Sequence, residues 1–285
     1  MQNKKFIDVE KLLRERAPGL KKWIPKFAVS WVKKKLHEDE INSIMFDLKD
    51  IYGLEYNKGV LSKLNIDIKS YNAENVPTTG GIIIAANHPL GGLDGISLVK
   101  AIGDLRPDVR FVVNDVLTNL KNYGDVFIGV NKIKNTSATS LRVVENFLLS
   151  NDAVIFFPAG LVSRKQNGEI MDLEWKKSFV TQAIDHERKI VPTFVEGHNS
   201  KFFYRFANFR KRIGIKANIE MFFLPDEMFK QRGQTVKIHF GKAFDASILD
   251  KRKSHRAWAQ IIKKYVYSEE FKKGITFEEY IKDIK

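Results

Sequence analysis

From about residue 80 onward, short β-rich runs alternate with stretches of helical character. The runs are GIIIAA, VRFVVN, VFIGV, AVIFF and KIVPTFV, and DGISLVKAI and SATSLRVVENFLL lie between them. Brief apolar, β-branched runs separated by helix-length amphipathic segments are the pattern of strands joined by helical crossovers. The chain is therefore predicted to be α/β, with a largely parallel sheet flanked by helices. ANIEMFF and TVKIHFG read as two further strands, and a helix is expected near Arg256 to Tyr267. In such folds functional groups gather in the loops that follow the strand ends.

Nothing in the composition of the 285 residues changes sharply enough to demand two domains. The expected organisation is an N-terminal helical segment over residues 1–70, suited to a membrane surface, followed by an α/β domain over residues 71–285 that ends in a helix. In the first segment, LKKWIPKFAVSWVKKKL places Leu20, Trp23, Ile24, Phe27, Ala28 and Trp31 at helical spacing with lysines around them. Pro25 sets the start of the regular helix. Such a helix either lies in a bilayer interface or packs its apolar stripe on the core. No stretch reaches the roughly 18 apolar residues needed to span a bilayer, and the N-terminus lacks the apolar core of a signal peptide.

Lys and Arg number 48 against 34 Asp and Glu, a formal net charge of +14, so the long-range field draws anions: nucleic acid, an anionic membrane or phosphorylated substrates. The absence of cysteine excludes disulfides, cysteine-ligated zinc and a thiol nucleophile. KFFYRFANFRKR interleaves rings and cations. That pattern fits base stacking with phosphate pairing, and the spacing of Phe202, Phe206 and Phe209 fits a core-packed or membrane-facing helix equally well.

The run GGIIIAANHPLGGLDGISLVKAI ends a buried strand at Asn87 and His88, turns through glycine and proline, and sets Asp94 at the start of a helix. A carboxylate that holds one imidazole nitrogen leaves the other free to take a proton from a hydroxyl. On this pair alone, Asp94 as a helix cap beside an ordinary turn histidine is an equally valid reading. His186, His198 and His239 lack a coherent ligand spacing, so no metal site is expected. The chain has no GxSxG elbow.

Four stretches together resemble the motifs of the PlsC-like glycerolipid and lysophospholipid acyltransferase family. NHPLGGLD resembles the first, GDVFIGVNK the second, FFPAGLVSR the third and IVPTFVEG the fourth, in the family's order. GEIMDLEWKKSFV, GHNSKFFYRFANF and GQTVKIHFGKAF resemble the branch of hemolysin-like proteins that includes ornithine- and glycine-lipid O-acyltransferases. The resemblance covers roughly residues 75 to 250. It implies that residues 71–285 form an acyltransferase domain that moves a fatty acyl chain from acyl-ACP or acyl-CoA to the hydroxyl of a lysophospholipid or monoacylated amino-acid lipid. His88 would be the general base and Asp94 its orienting partner. Arg164, Lys132, Gly160 and Ser163 would lie at the acceptor.

The resemblance implies no cofactor beyond the acyl donor, and as partners an acyl carrier protein or CoA thioester, a lyso-lipid acceptor and an anionic membrane surface, with no nucleic acid. The expected location is cytoplasmic, peripheral on the inner face of the cell membrane. Three departures stand out. Five residues separate His88 from Asp94 where the family usually has four, so the Gly91-Gly92 turn must absorb one. Ala159 replaces a common glutamate, and Val130 and Asn131 stand near the usual arginine, which leaves Lys132 as the nearest cation. These departures also fit a lipid-binding relative without activity.

Overall fold

The computed structural model describes residues 5–11, 25–114, 117, 120–130 and 147–282. After residue 25 the chain forms α1 (Lys26–Lys35), α2 (Glu38–Asp47) and α3 (Gly53–Lys63). Then follow β1 (Asp67–Tyr71), β2 (Ile82–Ala86), α4 (Gly92–Gly103), β3 (Val109–Asn114), β4 (Phe127–Val130) and β5 (Ala153–Phe156). A small hairpin, β6 (Arg164–Gln166) and β7 (Glu169–Met171), leads to α5 (Ser178–Asp185), β8 (Lys189–Val195) and α6 (Lys201–Arg212). The chain continues through a 3-10 turn at Ile219–Phe223, α7 (Leu224–Lys230), β9 (Thr235–Phe240) and β10 (Phe244–Asp245). It closes with α8 (His255–Val266), α9 (Glu269–Lys272) and α10 (Phe277–Lys282).

The main sheet runs β1-β9-β8-β2-β5-β3-β4, with β10 also paired to β8. β8, β2, β5, β3 and β4 form one parallel block, while β9 runs antiparallel to β8 and parallel to β1. β2 is buried at all five positions, as befits a central strand covered on both faces. Its period of two divides the core: Ile82, Ile84 and Ala86 pack with Leu61, Leu98 and Ile102 on one side. Ile83 and Ala85 pack with Trp175, Phe179 and Ile262 on the other. Pro192 sits inside β8 without cost to the ladder, because β10 pairs at Lys189 and Ile190 and β9 only from Thr193 onward.

The five runs read as strands become β2, β3, β4, β5 and β8, and the C-terminal helix is α8. TVKIHF is β9. ANIEMFF is not a strand; it contains the 3-10 turn. Its alternation misleads because Glu220, in a position that a half-buried strand would turn to water, is fully buried between two arginines. Pro225 then opens α7. The boundary at residue 70 falls inside β1, which pairs residue for residue with β9. Tyr56, Leu61 and Leu64, ahead of that strand, belong to the main core. α1 begins immediately after Pro25. Its Phe27 and Trp31 stay largely exposed instead of entering the core. Leu20 to Ile24, and most of SATSLRVVENFLL, lie outside the described residues. Among the described residues no helix is long and apolar enough to cross a membrane.

Candidate active site

Four parallel strands, β2, β4, β5 and β8, deliver the chain to the same edge of the sheet. At the end of β2 the Asn87 amide accepts from the Val195 N–H at 2.6 Å and donates to the Val195 carbonyl at 3.0 Å, which locks this strand end to β8. His88 follows. Its ring Nδ1 lies 2.9 Å from Asp94 Oδ2. The same oxygen accepts from the backbone N–H of Leu90 at 2.8 Å and of Gly91 at 3.0 Å. Asp94 is thus both the helix cap and the partner of the histidine, and the two sequence readings merge.

The extra residue of this turn is absorbed at Gly91, whose φ of 78° and ψ of −132° suit glycine almost alone. A Cβ there would also sit 3.1 Å from the Leu224 side chain. Asp94 is fully buried, and burial pushes its carboxyl above the ordinary aspartate range while the contact with His88 opposes the shift. An Nδ1–H donated to this carboxylate fixes the tautomer that leaves Nε2 as a base.

The third motif closes on the same histidine. Phe157, at the end of β5, stacks on the His88 ring with centroids 4.1 Å apart. The backbone N–H of Ser163 donates to the His88 carbonyl at 2.8 Å. Ser163 itself is buried and its hydroxyl donates to Asp172 Oδ1 at 2.6 Å. Gly160, exposed and at φ 64°, turns the loop, and its amide donates to the Phe157 carbonyl at 2.9 Å. Ala159 is buried among Trp175 and Phe179, an apolar setting.

Arg164 lies beside this loop, but its fork turns inward. It donates to Glu220 at 2.6 Å and to the Val162 carbonyl at 2.5 Å, and its guanidinium sits 5.5 Å from the centre of the Phe203 ring. Glu220 also takes both Nε and Nη2 of Arg210. Burial pulls the Arg164 guanidinium below its ordinary value, against the attraction of Glu220. Burial alone would raise the Glu220 carboxyl, and the two arginines outweigh it and hold it below the usual range. Of the sequence-derived site residues, His88, Asp94, Gly160 and Ser163 are therefore gathered at one strand edge. Arg164 is next to them with both terminal guanidinium nitrogens bonded inward, and Lys132 lies outside the described residues.

One further residue of this site is Asp172. It is fully buried, and it accepts from the His88 backbone N–H at 3.1 Å, from Ser163 and from the Trp175 indole at 2.8 Å. Its own N–H donates to the Tyr267 hydroxyl at 3.0 Å. The ring of His88 is therefore held by one carboxylate and its backbone by another. In the sequence Asp172 lies in GEIMDLEWKKSFV, a stretch that carries the family resemblance, but no spacing rule assigns it a role there.

The sequence matches the family model described as Acyltransferase over residues 11–274. A lyso-glycine lipid O-acyltransferase of Bacteroides thetaiotaomicron is 42% identical over 92% of this chain and 97% of that protein. One of the same description from Phocaeicola vulgatus is also 42% identical, over 92% of this chain and 94% of that protein. The 1-acyl-sn-glycerophosphate acyltransferase PlsC from Thermotoga maritima superposes with a TM-score of 0.48 at 16% identity, over 90% of this chain and 94% of that one.

Proposed function

This chain belongs to the acyltransferase family, and we propose that it esterifies the hydroxyl of a lyso-glycine lipid, a monoacylated amino-acid lipid, with a fatty acyl group from acyl-ACP or acyl-CoA. The observation that carries the reading is the His88–Asp94 pair, closed at 2.9 Å despite its lengthened spacing. That closure favours a working enzyme over a lipid-binding relative without activity. Similarity to two proteins described as lyso-glycine lipid O-acyltransferases supports the acceptor class.

In the proposed reaction His88 Nε2 takes the acceptor hydroxyl proton as the oxygen attacks the thioester carbonyl. A C–O bond forms and the carbonyl becomes an oxyanion. Collapse of this tetrahedral intermediate breaks the C–S bond, and the imidazolium returns its proton to the departing thiolate. Asp94 holds the ring in the required tautomer and supports the imidazolium; positioned base catalysis of this kind contributes roughly 10²–10⁴ in rate. Asp172 and Ser163 hold the backbone on which the base is mounted. Arg164 acts as a positioning residue, tying the third-motif loop to Glu220. No covalent acyl-enzyme is required.

The acceptor carries one acyl chain already, so the reaction belongs at a lipid surface, on the inner face of the cell membrane. The test is a panel: purified protein with labelled acyl-ACP or acyl-CoA, against lyso-glycine lipid, lyso-ornithine lipid and lysophosphatidate. Diacylated glycine lipid formed faster than the other products supports the reading. Product from lysophosphatidate alone would reassign the acceptor, and no product with any pair would end the proposal.

A further inference from the structure

Three stripes run along α6. Phe203 and Tyr204 are buried against Val162 and Phe223, and Arg210 is held by Glu220. A second stripe, Phe202, Phe206, Phe209 and Ile213, recurs at intervals of three and four residues, which is one face of a helix. Three of its four members face outward, with Phe202 50%, Phe209 57% and Ile213 53% exposed, while Phe206 is half-buried against the Phe203 cluster. Between and beside these rings stand Lys201, Arg205, Lys211, Arg212 and Lys216, all exposed and none with an ion pair among the described residues. From Gly197 to Ile219 the chain has no acidic residue.

The apolar stripe continues onto other elements. Phe223 of the 3-10 turn meets Phe202 edge-on at 5.1 Å, Phe206 at 5.4 Å and Trp31 of α1 at 6.0 Å. Its neighbour Phe222 is 64% exposed, and Trp31 is 52% exposed. Segments far apart in sequence thus build one ring-rich surface bordered by cations, larger than the scattered apolar residues of an ordinary surface.

We infer that this face, formed by α6, the 3-10 turn and α1, docks on an anionic bilayer. Rings with tryptophan among them suit the headgroup boundary, and unpaired Lys and Arg suit the phosphates beside it. An acidic protein would match the cations, whereas the run of bare rings matches a hydrocarbon boundary. The buried side of α6 faces the catalytic turn. Asn199, just ahead of the helix, donates to the Pro89 carbonyl beside His88 at 3.1 Å, and Leu224, just after the 3-10 turn, borders Gly91. Docking through this face therefore sets the His88 turn one helix diameter, roughly 10 Å, from a surface that carries acceptors. This last step rests on the proposed acyl transfer; the docking itself does not.

Co-sedimentation of the full chain with vesicles of phosphatidylglycerol and phosphatidylethanolamine tests it, with phosphatidylcholine vesicles as the uncharged control. Two double variants are compared, Phe209→Ser with Phe222→Ser, and Lys211→Gln with Arg212→Gln, each first shown to melt like the wild type. The expected result is wild-type binding to the anionic vesicles that weakens with salt. Each lost cation lowers affinity about fivefold, and the double phenylalanine variant lowers binding to both vesicle types. Turnover on detergent-dispersed acceptor stays at the wild-type level in both variants and falls only on vesicle-borne acceptor. Wild type that binds vesicles yet makes no product leaves the docking intact and removes the enzymatic reading alone. Variants that bind vesicles like the wild type would overturn the docking, and more directly so if they lose acyl carrier protein, oligonucleotide or self-association instead.

Discussion

The edge of the sheet around His88 and the outer face of α6 are built on opposite rules. At the edge, Asp94, Asp172, Ser163 and Asn87 are buried; Asp94 and Asp172 bond to His88, Ser163 to His88 and Asp172, and Asn87 to Val195, so each fixes a neighbour. On the outer face of α6, Lys201, Arg205, Lys211 and Arg212 stand exposed with no ion pair among the described residues, and Phe202 and Phe209 are half or more exposed. A group that must hold an imidazole to within fractions of an ångström is buried and tied by hydrogen bonds, as Asp94 Oδ2 is to the His88 ring and to the N–H groups of Leu90 and Gly91. A surface that meets a fluid ligand has no use for such order. Chemistry and placement are thus separated on the two sides of one helix, with the Arg164–Glu220–Arg210 cluster between them.

The separation is sharpened first at Asp94. Asp94→Asn removes the charge and the tautomer control, and kcat should fall by about 10²–10⁴, with vesicle binding unchanged. A parallel loss of vesicle binding would show that the two regions are not independent. Glu220→Gln attacks the cluster between them. It leaves two buried guanidinium groups without a full counter-charge, and unfolding free energy should drop by about 3–5 kcal/mol in a denaturant titration. The wild-type carboxylate has a lowered folded pKa, so its contribution is fully present above the unfolded value of about 4.3. It disappears as pH falls through the folded value, and the variant should lack that acid limb.

Asp172→Asn should leave the fold in place and lower kcat by about tenfold to a hundredfold, with the acceptor KM unchanged, because it loosens the backbone under His88 and touches no substrate. A change in KM alone would move Asp172 from the base to the acceptor. Gly91→Ala forces a side chain into a backbone conformation that costs on the order of 1–3 kcal/mol. A measurable drop in melting temperature together with reduced turnover is expected; a variant as stable and active as the wild type would show that the turn absorbs the extra residue elsewhere.

The parallel sheet was legible because β2, β3, β4, β5 and β8 are short apolar runs with helix-length spacers, a pattern set by burial on both faces. His88 and Asp94 were legible through adjacency in one turn. Asp172 was not, since its contacts to His88 and Ser163 join residues 84 and 9 positions apart and depend on how a hairpin folds back. Arg164 was legible as a cation beside the third motif, but its direction was not: Glu220, which turns it inward, sits in a segment whose alternation imitates a strand. Periodicity reports which faces are apolar and is silent when a buried position is filled by a charge with its counter-charge.

The most direct test of the central claim is acyl transfer to lyso-glycine lipid by wild type and His88→Ala, side by side, with thermal unfolding matched. The predicted result is diacylated product from the wild type and a rate at least about a hundredfold lower from the variant. Equal rates from the two proteins would contradict the account.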